Sequence, residues 1–113
     1  MKRDIRVYID DILESIGFIE EYTEGLNEKE FYKNTQVQDA TLRRLAIIGE
    51  AIKNMPKNFK DSHSDVPWRE ISGMRDVLIH EYFGVRLERA WKTIKEDIPE
   101  FKRKMEELTE TSV

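Results

Sequence analysis

Cysteine is absent from the 113-residue sequence. Disulfides, thiolate metal ligands and cysteine nucleophiles are thereby excluded, and the composition suits a reducing compartment. Proline and glycine are scarce, at three and five residues, so little interrupts long helices. No window approaches the roughly 20 apolar residues that a membrane span needs. Met1 runs directly into Lys2, Arg3 and Asp4 and then an amphipathic stretch, without the apolar core that a signal peptide carries. A cytoplasmic protein without membrane contact is expected. Glycine-rich phosphate loops, a G-x-S-x-G elbow and an H-E-x-x-H pair are all missing. Acidic residues are numerous but spread along solvent-facing positions, so neither a metal site nor a cofactor is expected.

What is present is a hydrophobic fraction of 39% beside a charged fraction of 37%. The first is too high for a disordered chain, and the second is unusual for a compact monomer. A helical bundle with solvated outer faces, sharing apolar surface with a second copy, reconciles them. The length leaves room for one domain over residues 1–113. The net charge of −4 argues against a general electrostatic binder of nucleic acid, which carries a basic excess. Locally the balance differs. Between residues 75 and 95, Arg75, Arg86, Arg89, Lys92 and Lys95 outnumber Asp76, Glu81 and Glu88, and residues 96–110 reverse this. That is either a basic patch or a set of ordinary solvated helix faces.

The 3.6-residue period marks four helical stretches. Ile5, Ile9, Ile12, Ile16 and Ile19 form the first stripe, with Tyr8 and Tyr22 beside it, and Thr23-Glu24-Gly25 ends it. Asn27 and Glu30 have capping-box spacing and start a short turn carrying Phe31 and Tyr32; Thr35 and Gln38 repeat the signature. The second stripe runs through Leu45, Ile48, Ile52 and Met55 until Pro56. Gly49 lies inside it, at a cost of about 1 kcal/mol relative to Ala, which predicts a close helix crossing. Residues 57–66 are polar and aperiodic and read as a loop. Pro67 opens a third helix carrying Trp68, Ile71, Met74 and Leu78, broken near Gly84. The last stripe is Leu87, Trp91, Ile94, Ile98, Phe101, Met105 and Leu108, and its register survives Pro99, which predicts a kink there. The expectation is an all-α, up-and-down bundle of four to five helices.

One segment carries chemistry. Arg75, His80 and Tyr82 lie near the end of a helix whose other positions are strongly apolar. At about 100° per residue, Tyr82 returns to within roughly 20° of the face of Arg75. His80 falls roughly 140° away, too far for a side-by-side pair on an ideal helix. Either the chain turns His80 back, or the site combines residues of two protomers. RNA brings its own nucleophile, the 2′-hydroxyl, and its cleavage needs a proton carrier and a cation for the phosphorane charge. A histidine with an ordinary pKa near about 6.5 suits the first role, and a permanently charged arginine suits the second. Alternatively, Arg75 and His80 satisfy helix-end carbonyls or an ion pair. His63, in the polar loop, reads as incidental, and Glu50, seven residues after Arg43 on one helix face, as a supporting residue.

The R-x-x-x-x-H core with Asp76 after the arginine resembles the HEPN superfamily of nucleic-acid-acting helical domains. Three further strings sharpen the likeness: Arg44-Leu45-Ala46-Ile47-Ile48-Gly49-Glu50-Ala51, the run from Gly73 through Tyr82 to Gly84, and Asp97-Ile98-Pro99. Together they resemble the HepT subfamily over most of the chain. The resemblance implies a HEPN-like fold and a metal-independent endoribonuclease toxin. It implies a homodimer whose two motifs face each other, with Arg75 and His80 catalytic and Asp76 supporting. It also implies a nucleotidyltransferase antitoxin as partner, attaching AMP to Tyr82. Two other functions fit a helical domain of this size: a catalytically silent module that binds a nucleotidyltransferase or nucleotide, and a purely structural dimerisation bundle.

Overall fold

The computed structural model describes residues 4–73 and 87–111. All regular structure among them is helical. Helix α1 spans Ile5–Thr23, and Asp4 caps it by accepting the Arg6 backbone N–H at 2.9 Å. That bond, and then the Arg6 side chain, hold the Asp4 carboxyl below its usual range. The predicted stripe is the buried one: Ile9, Ile12, Ile16 and Ile19 are inaccessible or nearly so. The helix stops where expected, and Gly25 takes a positive φ of 76°, a conformation that costs a residue without Cβ little.

Helix α2, Glu28–Lys33, begins with the predicted capping box: Asn27 accepts the Glu30 N–H and Glu30 accepts the Asn27 N–H. The second capping signature is placed differently. Asn34, not Thr35, caps helix α3 (Thr35–Asn54), accepting the Val37 N–H at 3.0 Å. Gln38 instead donates back to the carbonyls of Phe31 and Tyr32, tying the end of α2 to the start of α3. Thr35 is already helical, so its side chain is one position too late to cap. The Asn27 and Asn34 caps contribute about 1 kcal/mol each. A fully buried Phe31 or Ile48 contributes about 1.5–3 kcal/mol, so the stripes hold the helices together and the caps set their ends. On α2, burial and a hydrogen bond donated to Glu28 push the Tyr32 phenol up to about 12.

Residues 57–66 are not wholly loop. Helix α4 occupies Lys57–Ser62, with Pro56 at its N-cap and His63 at its C-cap. Six residues make too few turns to show a period, and Phe59, which packs on the core, is its one large apolar side chain. Local contacts hold it: Lys57 pairs with Asp61 at 2.8 Å, and Lys60 donates to the Ile52 carbonyl at the end of α3. Residues 68–73, directly after Pro67, form helix α5, with Trp68 and Ile71 buried as predicted. Met74, Leu78 and the break at Gly84 lie outside the described residues.

The last stretch comprises α6 (Leu87–Lys92), a π-helical turn (Thr93–Asp97) and α7 (Ile98–Thr111). Pro99 offers no N–H to the Lys95 carbonyl, and its ring would crowd that oxygen in a regular helix. The chain meets this with the wider turn, in which the Ile98 N–H bonds to the Thr93 carbonyl five residues back. Ile94, Ile98, Phe101, Met105 and Leu108 all remain on the buried side. Helix α1 packs chiefly along α3 and also against α7, and α2 bridges α3 and α6. The result is the all-α bundle expected. Gly49 is buried in α3 beside Ile48 and Ile52. No described helix is long and apolar enough to cross a membrane.

Candidate active site

Arg75, Asp76, His80 and Tyr82 lie outside the described residues, which flank them in the chain up to residue 73 and from residue 87. On the entry side, the Trp68 indole N–H donates to the His63 carbonyl at 3.0 Å. Its ring meets Phe101 edge-on, with centroids 6.2 Å apart at 88°, and Phe59 at 6.3 Å. With Ile71 also buried, α5 is anchored on α7 and α4 immediately before the motif. On the exit side Ala90 is buried, and the half-buried Trp91 packs on Phe31 with centroids 5.3 Å apart. Both ends of the motif segment are therefore tied to the core by aromatic side chains.

His63 has a structural role. Its N–H and carbonyl close the α4–α5 connection, and its ring lies against Phe59, tilted at 47° with centroids 4.7 Å apart. The residues of the Arg44–Ala51 string also have distinct places. Leu45, Ile48, Gly49 and Ala51 are buried, and the Arg44 guanidinium lies over the Phe18 ring at 4.2 Å. Ala46, Ile47, Arg43 and Glu50 face the opposite way, into a groove of about 350 Å³ between α1 and α3. Tyr8 and Asp11 form its α1 wall. Glu50 thus shares a face with Arg43 as its spacing predicts, and the fold adds a phenol and a second carboxylate that periodicity gave no reason to place there. The Asp97-Ile98-Pro99 string is the exit of the π-helical turn, which gives it a backbone explanation.

Of the cations that form either a basic patch or ordinary solvated helix faces, Arg89, Lys92 and Lys95 are described and exposed, and the Lys95 ammonium lies over the Trp91 ring at 4.7 Å. Among the described residues no cluster of three or more histidine and carboxylate side chains could hold a metal ion. The described residues on either side of the motif segment are thus helical, with exposed cations among them.

The family model for HepT-like ribonucleases (Ribonuclease HepT-like) matches residues 12–108. The chain is similar to "Probable ribonuclease HepT" of Thermococcus cleftensis, with 50% identity over 108 residues, covering 96% of this chain and 98% of that one. It is similar to "Putative RNase TTE0752" of Caldanaerobacter subterraneus, with 47% identity over 103 residues, covering 91% and 92% of the two chains. A third relative, "Gamma-glutamylcyclotransferase and putative RNase MJ0434" of Methanocaldococcus jannaschii, is 46% identical over 110 residues. Here the match covers 97% of this chain and 50% of the longer relative, so this chain spans about half of that protein. No solved structure matches the chain at a significant level. The frame is that of an all-α ribonuclease domain. The chain belongs to the Ribonuclease HepT-like family.

Proposed function

We propose that this protein is a metal-independent endoribonuclease toxin acting as a homodimer, held inactive by a nucleotidyltransferase antitoxin that transfers AMP to Tyr82. The observation that carries the reading is that the family match, residues 12–108, contains the whole R-x-x-x-x-H-x-Y segment. In this reading His80 moves the proton of the 2′-hydroxyl, and Arg75 bonds the phosphate oxygens and the charge that develops on them. Asp76 and Glu50 are supporting residues. A dimer supplies the Arg75–His80 geometry that one ideal helix does not, because a two-fold interface brings two copies of the motif helix together. The half-buried Ala46 and Ile47, on the outer face of α3, are apolar surface of the kind such an interface uses.

Two outcomes are expected of the purified protein. Incubated with RNA in EDTA, it cleaves, and the fragments carry 2′,3′-cyclic phosphate and 5′-hydroxyl ends, the products of attack by the neighbouring hydroxyl. Cleavage that vanishes in chelator and returns with Mg²⁺ would show the mechanism to be wrong. In analytical ultracentrifugation at micromolar concentration it sediments as a dimer, and a fully active monomer excludes the composite site.

A further inference from the structure

A groove of about 650 Å³ runs between α4 and α5, on residues to which the proposed mechanism gives no role. Lys57, Lys60 and Arg69 line it together with Asp61, Glu70 and Ser72. Its three cations outnumber its two carboxylates, in a chain whose net charge is −4. Their states differ. Lys57 is paired with Asp61, and Lys60 is held by its bond to the Ile52 carbonyl. Arg69 is exposed, and no ion pair or hydrogen bond engages its side chain among the described residues.

The position matters as much as the charge. Ser72, on the groove wall, precedes Arg75 by three residues, and that length of chain spans at most about 11 Å in any conformation. The groove is therefore tethered beside the motif by covalent geometry alone. The helix bearing Arg69 is also firmly seated, through Trp68 and Ile71. A guanidinium on a helix seated by Trp68 and Ile71, with two ammonium groups and the Ser64 hydroxyl lining the same groove, offers the donors that a phosphodiester needs. The Ser72 hydroxyl donates to the Arg69 carbonyl.

We infer that this groove binds the RNA backbone flanking the scissile phosphate, with Arg69 as the principal phosphate ligand and Lys57 as a second. The inference rests on the ribonuclease reading for its substrate. It also explains how an acidic protein holds RNA: the contacts are few and local, set just outside the reacting centre. Asp61 and Glu70 limit the groove's charge, so binding is weak without the motif and strengthens when a strand occupies both.

The test uses the intact protein and a single-stranded RNA of about a dozen nucleotides, in its ordinary form for cleavage and with 2′-O-methyl groups for binding by fluorescence anisotropy. Removing one cation that neutralises a phosphate flattens the dependence of log affinity on log salt by about 0.7 for a single strand. Arg69→Ala and Lys57→Ala are expected to flatten it by about that amount each and to weaken binding several-fold. Glu70→Gln tightens binding, and Lys29→Ala, on the exposed side of α2, changes nothing. Circular dichroism confirms that the variants are folded. If wild type cleaves but Arg69→Ala and Lys57→Ala bind with its salt dependence, the groove assignment is wrong and the ribonuclease reading stands. If the variants flatten the salt dependence as expected yet wild type never cleaves the ordinary RNA, the groove stands and the catalytic reading falls. Absence of both binding and cleavage overturns both.

Discussion

His80→Ala and Arg75→Ala are each expected to reduce RNA cleavage at least about 100-fold while leaving the helical fold intact. A general acid–base group contributes roughly 10²–10⁴ in rate, and a donor aimed at developing charge contributes about 2.7–4 kcal/mol, or 10²–10³. The two act on one event, since the proton leaves the 2′-hydroxyl as charge gathers on the phosphorane. Their effects should therefore not multiply, and the double variant is expected to be little worse than the weaker single one. Initial rates on a labelled RNA measure the reduction. Far-UV circular dichroism and thermal unfolding separate it from misfolding, because the core stripes Ile9–Ile19 and Ile94–Leu108 are untouched by either change. If Arg75→Ala cleaves at the wild-type rate, the arginine serves the helix end and not the phosphate. If His80→Ala does so, the proton carrier is another group.

The second large effect concerns Tyr82. The purified protein, incubated with a cognate nucleotidyltransferase and ATP, is expected to gain mass in units of AMP and to lose cleavage activity. Tyr82→Phe is expected to gain none and to stay active. The proton chemistry assigned to His80 does not call for a phenol, so catalysis alone does not account for the tyrosine. On a regular helix Tyr82 falls roughly 20° from the face of Arg75, and the proposal puts its hydroxyl within reach of the same cleft. An attached AMP puts a phosphate beside the guanidinium, where the two can pair by charge-assisted hydrogen bonds. The modification then inhibits by occupying the place of substrate phosphate, with no rearrangement of the bundle needed. Intact-protein mass spectrometry reads the transfer directly. A Tyr82→Phe protein that is still modified and still silenced places the control elsewhere.

The α3–α5 region shows what kinds of information each level carried. The stripes of α1, α3 and α7 were readable because a long amphipathic helix repeats its signal over several turns. The Asn27 capping box and the Gly25 stop were readable because each depends on residues within one turn. Helix α4 was not, since six residues with one large apolar side chain leave no period. It exists because Lys60 reaches the α3 carboxyl end and Phe59 finds the core. Thr35 had the same capping chemistry as Asn34, and the choice between them lay in backbone conformation, which residue type does not specify.

The same division holds for the candidate site. Residue chemistry singled out Arg75 and His80, because proton transfer and phosphate binding restrict the side chains that can serve, and the family resemblance gave Tyr82 its expected role. Spacing also put Glu50 and Arg43 on one helix face. That Tyr8 and Asp11 close the other side of their groove, and that Lys57 and Arg69 line one groove from different helices, follows only from how the helices pack. The physical reason is one of range. Periodicity and caps act within a few residues along the chain, so sequence alone determined the long helices and singled out the candidate reactive groups. Which faces meet depends on burying side chains distant in sequence, such as Trp68 on Phe101 and Phe31 on Trp91, and only the tertiary structure decided that.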